Sequence, residues 1–172
     1  VANTISGYAV RFNDETVIGG QFREKISPGA FTKTLKESDV IAVLSHDVGR
    51  VLGRVSAGTL DLRQDRIGLH ATLSVDPSTP SGAEALGTVG RGDVQGWSFG
   101  FFVRDEEWRD GGDRLPLRII RDVELIEVTL TALPAYPTTD ASVRADGDSG
   151  KRQALAAARR RAETAHRLRG IR

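Results

Sequence analysis

Alternating apolar and polar positions divide most of the chain into short strands. Ile5–Phe12 and Val17–Ile26 read as strands around the turn-forming pair Asn13-Asp14. Ser27-Pro28 has the form of a helix start, a capping hydroxyl with proline in the first turn, and predicts a helix over Pro28–Glu37 with Phe31 and Leu35 on one face. Val40–Leu44 is a short apolar strand that ends in Ser45-His46-Asp47. Strands at Val51–Val55, Thr59–Leu62 and Ile67–Val75 follow, the last with Leu69, Ala71 and Leu73 on one face. After a Pro-, Ser- and Thr-rich loop at Asp76–Ser81, a short helix is expected at Gly82–Val89, broken by Gly90 and Gly92. Gln95–Val103 and Leu117–Thr131 are strands flanking the polar Gly-Gly turn at Asp110–Asp113. This pattern predicts a mainly β (α+β) domain, a closed or nearly closed β-barrel with peripheral helices.

The expected organisation is a domain over 1–137, a polar linker over 138–150 and a basic tail over 151–172, helical on propensity across Lys151–Leu168. Charge sharpens the division. Residues 150–172 hold eight Lys or Arg against one acid, Glu163, so of the net +1 the tail carries +7 and the body −6. The body should therefore be read without its tail. No apolar run approaches the ~20 residues that span a bilayer, and no secretory signal is visible. With no cysteine and only three scattered histidines, thiol chemistry and cysteine-bound zinc are excluded. No metal or other cofactor is expected, and oxygen nucleophiles remain.

Three residues need a reason. In Gly96-Trp97-Ser98-Phe99-Gly100-Phe101, alternation puts Trp97, Phe99, Phe101 and Val103 on a core face and leaves Ser98 and Gly100 on the other. Ser98 reads either as a nucleophile or as a small residue under a neighbouring loop. The Gly-x-Ser-x-Gly match is not the hydrolase elbow, which joins strand to helix, because Phe101-Phe102-Val103 continues the strand. His46 could be the base such a serine needs, or a surface-loop histidine. His70 alternates opposite an apolar strand face, and His166 lies in the tail. Glu127 interrupts a run that is otherwise apolar on both faces, apart from Thr129, so its carboxylate needs a partner. A histidine would satisfy it, and so would Arg118 or Arg121; Asp122 and Glu124 are possible substitutes for the acid. The order His46, Ser98, Glu127 differs from those of chymotrypsin-like, subtilisin-like and α/β-hydrolase enzymes, so spacing alone does not make a protease.

The same segments, taken with several others, resemble the tailed-phage prohead proteases. In order they are Gly7-Tyr8-Ala9-Val10-Arg11-Phe12, Ile26-Ser27-Pro28-Gly29-Ala30-Phe31, Val43-Leu44-Ser45-His46-Asp47, Gly68-Leu69, and the Gly96–Phe101 segment. Arg118-Ile119-Ile120, Leu125-Ile126-Glu127-Val128-Thr129 and Pro134-Ala135-Tyr136-Pro137 complete the set, which spans about Ile5 to Tyr136. The resemblance implies a serine endopeptidase with a fold similar to the herpesvirus assembly protease, His46 as base and Ser98 as nucleophile. Glu127 stands where the herpesvirus relatives use a second histidine, and Thr129 replaces a serine usual in the family. Arg118, Arg121, Gly96 and Gly100 are candidates for oxyanion or substrate contacts. The implied substrate is the scaffold-like segment of the major capsid protein or a separate scaffold, together with the protease itself. The implied place is the assembling procapsid in the host cytoplasm, and a homo-oligomer is open. The tail could dock an acidic scaffold helix or bind nucleic acid; docking is favoured, because residues 150–172 contain no aromatic side chain to stack on bases.

Overall fold

The computed structural model describes residues 3–144. They form ten strands and two helices: β1 (Thr4–Arg11), β2 (Thr16–Ile18), β3 (Phe22–Ile26), α1 (Thr34–Glu37), β4 (Ile41–Leu44), β5 (Asp47–Arg54), β6 (Leu60–Gln64), β7 (Gly68–Ser74), α2 (Pro80–Arg91), β8 (Gly96–Arg109), β9 (Leu117–Thr131) and β10 (Ser142–Arg144). The class is mainly β, as the alternation predicts.

The strands make two sheets, one in the order β10-β1-β7-β6 and one in the order β2-β3-β9-β4-β5, with β8 paired to β9. The expected closed barrel is therefore corrected: among the described residues no ladder joins the two sheets. Between β5 and β6 the chain turns tightly, with Gly58 N–H on Val55 O at 2.9 Å, and the Arg54 N–H is taken by Thr59 Oγ1 rather than by a strand carbonyl. On the other flank β1 packs against β8 without pairing to it.

The sheets enclose one core. From the first come Ile5, Val10, Leu69, Ala71 and Leu73, and from the second Ala42, Leu44, Trp97, Phe99, Val128 and Leu130. Phe31 sits among them fully buried, 6.2 Å from Phe12 and 6.1 Å from Phe99 between ring centroids.

Several boundaries differ from expectation for local reasons. Val17–Ile26 is two strands, because Gly19 and Gly20 adopt φ of 56° and 70° and turn the chain back on itself. The helix expected over Pro28–Glu37 shrinks to Thr34–Glu37, since Gly29 at φ 91° is left-handed and interrupts the spiral. α2 runs longer than expected: Thr79 Oγ1 caps it by accepting the Gly82 N–H, Pro80 opens it, and left-handed Gly92 closes it. Ser142–Arg144, in the stretch expected to be linker, pair with β1. The segment before them crosses β1 so closely that a Cβ on Gly7 would lie 1.7 Å from the Asp140 carbonyl oxygen. The basic helix expected over Lys151–Leu168 lies outside the described residues.

Strand β9 organises everything that follows. Along one edge it pairs with β8 over its whole length, and along the other with β3 through Leu117–Ile120 and with β4 through Glu127–Leu130.

Candidate active site

Strands β8 and β9 set Ser98 opposite Thr129 and Gly100 opposite Glu127. Directly opposed residues share a sheet face. Trp97, Phe99, Val128 and Leu130 fill the core face, so Ser98, Gly100, Glu127 and Thr129 share the other. All but Gly100 are buried there, Ser98 and Glu127 at 7% exposure and Thr129 at 0%.

His46 arrives from the far edge of β9. It lies with Ser45 in the two-residue turn between β4 and β5, and both are left-handed, at φ 54° and 57°. That turn is anchored on β9. Ser45 N–H donates to Leu130 O at 2.9 Å, and His46 N–H donates to Thr129 Oγ1, also at 2.9 Å. The imidazole is half-exposed and its Nδ1 lies 2.5 Å from Glu127 Oε1. A carboxylate only accepts, so Nδ1 carries the proton, and in the neutral ring the lone pair is then on Nε2. Glu127 thus takes a histidine, and neither arginine, as partner. Its second oxygen, Oε2, is buried with no partner among the described residues. Strand register sets Ser98 on the same face, opposite Thr129, while the side chains bonded to His46 are those of Glu127 and Thr129.

The glycines have steric reasons. A Cβ at Gly100 would lie 2.9 Å from both Cγ and Oε1 of Glu127, so this glycine leaves the space that the Glu127 side chain occupies. A Cβ at Gly96 would meet Pro134 Cγ at 2.7 Å and Thr139 Oγ1 at 2.9 Å. Gly96 therefore admits the loop after β9, which Thr139 fixes by donating to Trp97 O at 2.7 Å.

Two of the expected oxyanion candidates are not brought to the site. Arg118 and Arg121 lie nine and six positions before Glu127 on the same strand, a contour of at most roughly 30 and 20 Å at ~3.3 Å per residue. Arg118 is held by Glu106 at 2.5 Å and Glu24 at 3.1 Å, and Arg121 pairs with Glu107. Glu124 is engaged by Arg104 at 3.6 Å. His70 packs edge-on against Tyr8 in the first sheet, ring centroids 5.1 Å apart, and burial pushes its pKa down. His166 lies outside the described residues.

Thr129 is the site residue whose part the sequence left unassigned. Its signals were a hydroxyl beside Glu127 in an apolar run and its place where the family usually has a serine.

The sequence matches the profile of the caudovirus prohead serine protease family over residues 1–153. The chain belongs to that family. It is accordingly a serine peptidase of the capsid-maturation class. Among solved structures it is similar to KSHV protease in complex with a hexapeptide phosphonate inhibitor, at 16% identity and a TM-score of 0.54, over 90% of this chain and 75% of that one. Varicella-zoster virus protease matches at 12% identity and a TM-score of 0.46, over 91% of this chain and 75% of that one. At such identity the KSHV likeness speaks for the fold alone. No curated protein matches the chain. Among the described residues no helix of this prohead protease is long and apolar enough to cross a membrane.

Proposed function

We propose that this prohead protease is an endopeptidase in which Ser98 is the nucleophile, His46 the general base and Glu127 the acid that orients it. The observation that carries the reading is the Nδ1–Oε1 contact of 2.5 Å on the sheet face that Ser98 shares. An imidazole whose Nδ1–H is committed to a carboxylate presents Nε2 as base. Ser98 Oγ bonds to the scissile carbonyl carbon as its proton passes to Nε2. The tetrahedral intermediate collapses, the C–N bond breaks, and the leaving amine takes that proton from His46. Water then attacks the acyl ester by the same route in reverse roles and restores Ser98. Glu127 stabilises the imidazolium formed in each half. Backbone N–H groups hold the oxyanion in this reading, because the two motif arginines are engaged elsewhere.

The substrate is the scaffold-like segment of the major capsid protein, or a separate scaffold, cut inside the assembling procapsid; the enzyme also processes itself. The basic tail docks an acidic scaffold helix and so brings the protease to its place of work. The deciding experiment is co-expression with the capsid protein encoded beside it, wild type against Ser98→Ala, read by intact-protein mass spectrometry. Shortened capsid protein with the wild type only is the expected result. Uncut protein with both would point instead to an internal assembly component whose Ser98 is dispensable.

A further inference from the structure

We infer that Thr129 is a positioning residue for His46, acting through its side-chain hydroxyl; the inference rests on the catalytic reading above. The turn that carries His46 is conformationally expensive. Tight turns with both central residues left-handed favour Asn-Gly or similar pairs, and here the pair is Ser45-His46, at φ 54° and 57°. Neither is the glycine or asparagine that such turns favour, so the surroundings help to hold the conformation. Two bonds do so, both from β9. One is backbone to backbone, Ser45 N–H to Leu130 O at 2.9 Å, and any residue at 130 would supply it. The other is specific to the side chain, His46 N–H to Thr129 Oγ1 at 2.9 Å.

The hydroxyl is itself fixed. It has one proton to donate and gives it to Val43 O at 3.2 Å, on the strand that leads into the turn. Donating to β4 and accepting from His46, Thr129 Oγ1 ties the start of the turn to its end. Its backbone pairs with Val43 on one side and with Ser98 on the other. A single buried residue therefore spans the strand of the nucleophile and the turn of the base, with Glu127 two positions away on the same face. The function of this arrangement is to fix where the imidazole stands relative to Ser98.

The test compares Thr129→Val, which keeps the shape and removes the hydroxyl, with Thr129→Ser, which keeps the hydroxyl and removes the methyl. Two readouts are needed: kcat and KM for cleavage of the capsid protein, and the proton NMR resonance of the His46 Nδ1–H, assigned by its loss in His46→Gln. With Val, kcat falls about 100-fold, the cost of a roughly 1 Å misplacement of a reacting group, KM holds within threefold, and the resonance moves or broadens. With Ser, both return to wild-type values. Unchanged kcat or an unmoved resonance in Thr129→Val overturns the inference, as does failure of Thr129→Ser to restore them. If the Val protein does not fold, Thr129→Ala is judged by the same criteria. The resonance requires no proteolysis, so it separates the two claims: a Ser98→Ala protein that still cuts sinks the catalytic reading, whereas the NMR arm continues to judge Thr129.

Discussion

Gly100 and Glu127 face each other across β8 and β9 so closely that any Cβ on the glycine would lie 2.9 Å from the glutamate Cγ and Oε1. The Glu127 side chain that meets His46 occupies the space such a Cβ would take. Gly100→Ala should therefore displace the carboxylate and loosen its hold on the imidazole. The expected effect is a loss of about 100-fold in kcat, with the protein still folded by circular dichroism. Wild-type turnover in Gly100→Ala would show that the carboxylate can reach His46 by another path.

A second buried acid is structural. Glu24 is 5% exposed, accepts from Tyr136 Oη at 2.7 Å and pairs with Arg118 at 3.1 Å. Burial, and then the neighbouring Glu24 charge, push the Tyr136 phenol well above its ordinary 10.0, so it stays a donor at all working pH values. Tyr136→Phe removes that donor and leaves a buried carboxylate oxygen short of a partner. A loss of about 1–3 kcal/mol in urea unfolding is expected. Catalysis should be little changed, because Tyr136→Phe keeps the ring that packs on Phe99, and Glu24 lies beside Arg118 at the start of β9, nine positions from Glu127. A larger loss in kcat than in stability would contradict the separation.

Stability should also respond to pH through His70. Burial, and next the positive charge of Arg144, lower its pKa from 6.5, while Asp140, Asp65 and Asp61 oppose the shift. The unfolded chain therefore binds this proton more readily than the folded one. Stability is full above about 6.5 and declines as pH falls from there toward the folded-state value. The lowered carboxyls Asp39, Asp65 and Asp76, whose ordinary value is 3.8, act in a separate window: their contribution is present above 3.8 and lost only as pH falls through their folded values. Melting temperatures from pH 7.5 to 5 should decline in the wild type and flatten in His70→Gln. Equal slopes in the two proteins would remove His70 as the cause.

What could be read from the sequence follows the range of the interactions involved. Alternation puts Trp97 and Phe99 on one sheet face and Ser98 on the other because side-chain direction is a local property of a strand. Glu127 pointed to a partner because an isolated buried carboxylate is so costly. Sheet closure was misread because it depends on edge pairing between distant strands, and hydropathy does not encode which edges meet. The same limit hid the pairing of Ser142–Arg144 with β1, more than 130 residues away in sequence. Arg118 and Arg121 looked like oxyanion donors because they share a strand with Glu127. The structure instead commits them to Glu24, Glu106 and Glu107. Local chemistry defeated one expectation as well, since Gly29 broke a helix that Ser27-Pro28 announced.

Glu127→Gln gives the sharpest test of catalysis against packing, because the two roles move its readouts in opposite directions. The amide can meet His46 in two ways. With its oxygen toward Nδ1 it keeps the hydrogen bond but loses the charge that stabilises the imidazolium. With its NH2 toward Nδ1 it makes that nitrogen an acceptor and moves the ring proton to Nε2, which then cannot act as base. Either way turnover should fall by up to roughly 10⁴, the scale seen when a triad carboxylate becomes an amide. Folding has little reason to suffer. Oε2 is buried with no partner among the described residues, and removing a charge from such a site lowers the desolvation penalty. The expected outcome is thus a steep loss in kcat beside a melting temperature that holds or rises. Full activity in Glu127→Gln would demote Glu127 to a packing residue. Loss of activity and fold together would be settled by Glu127→Asp: a folded but inactive Asp variant keeps the charge out of reach of His46 and returns the defect to positioning.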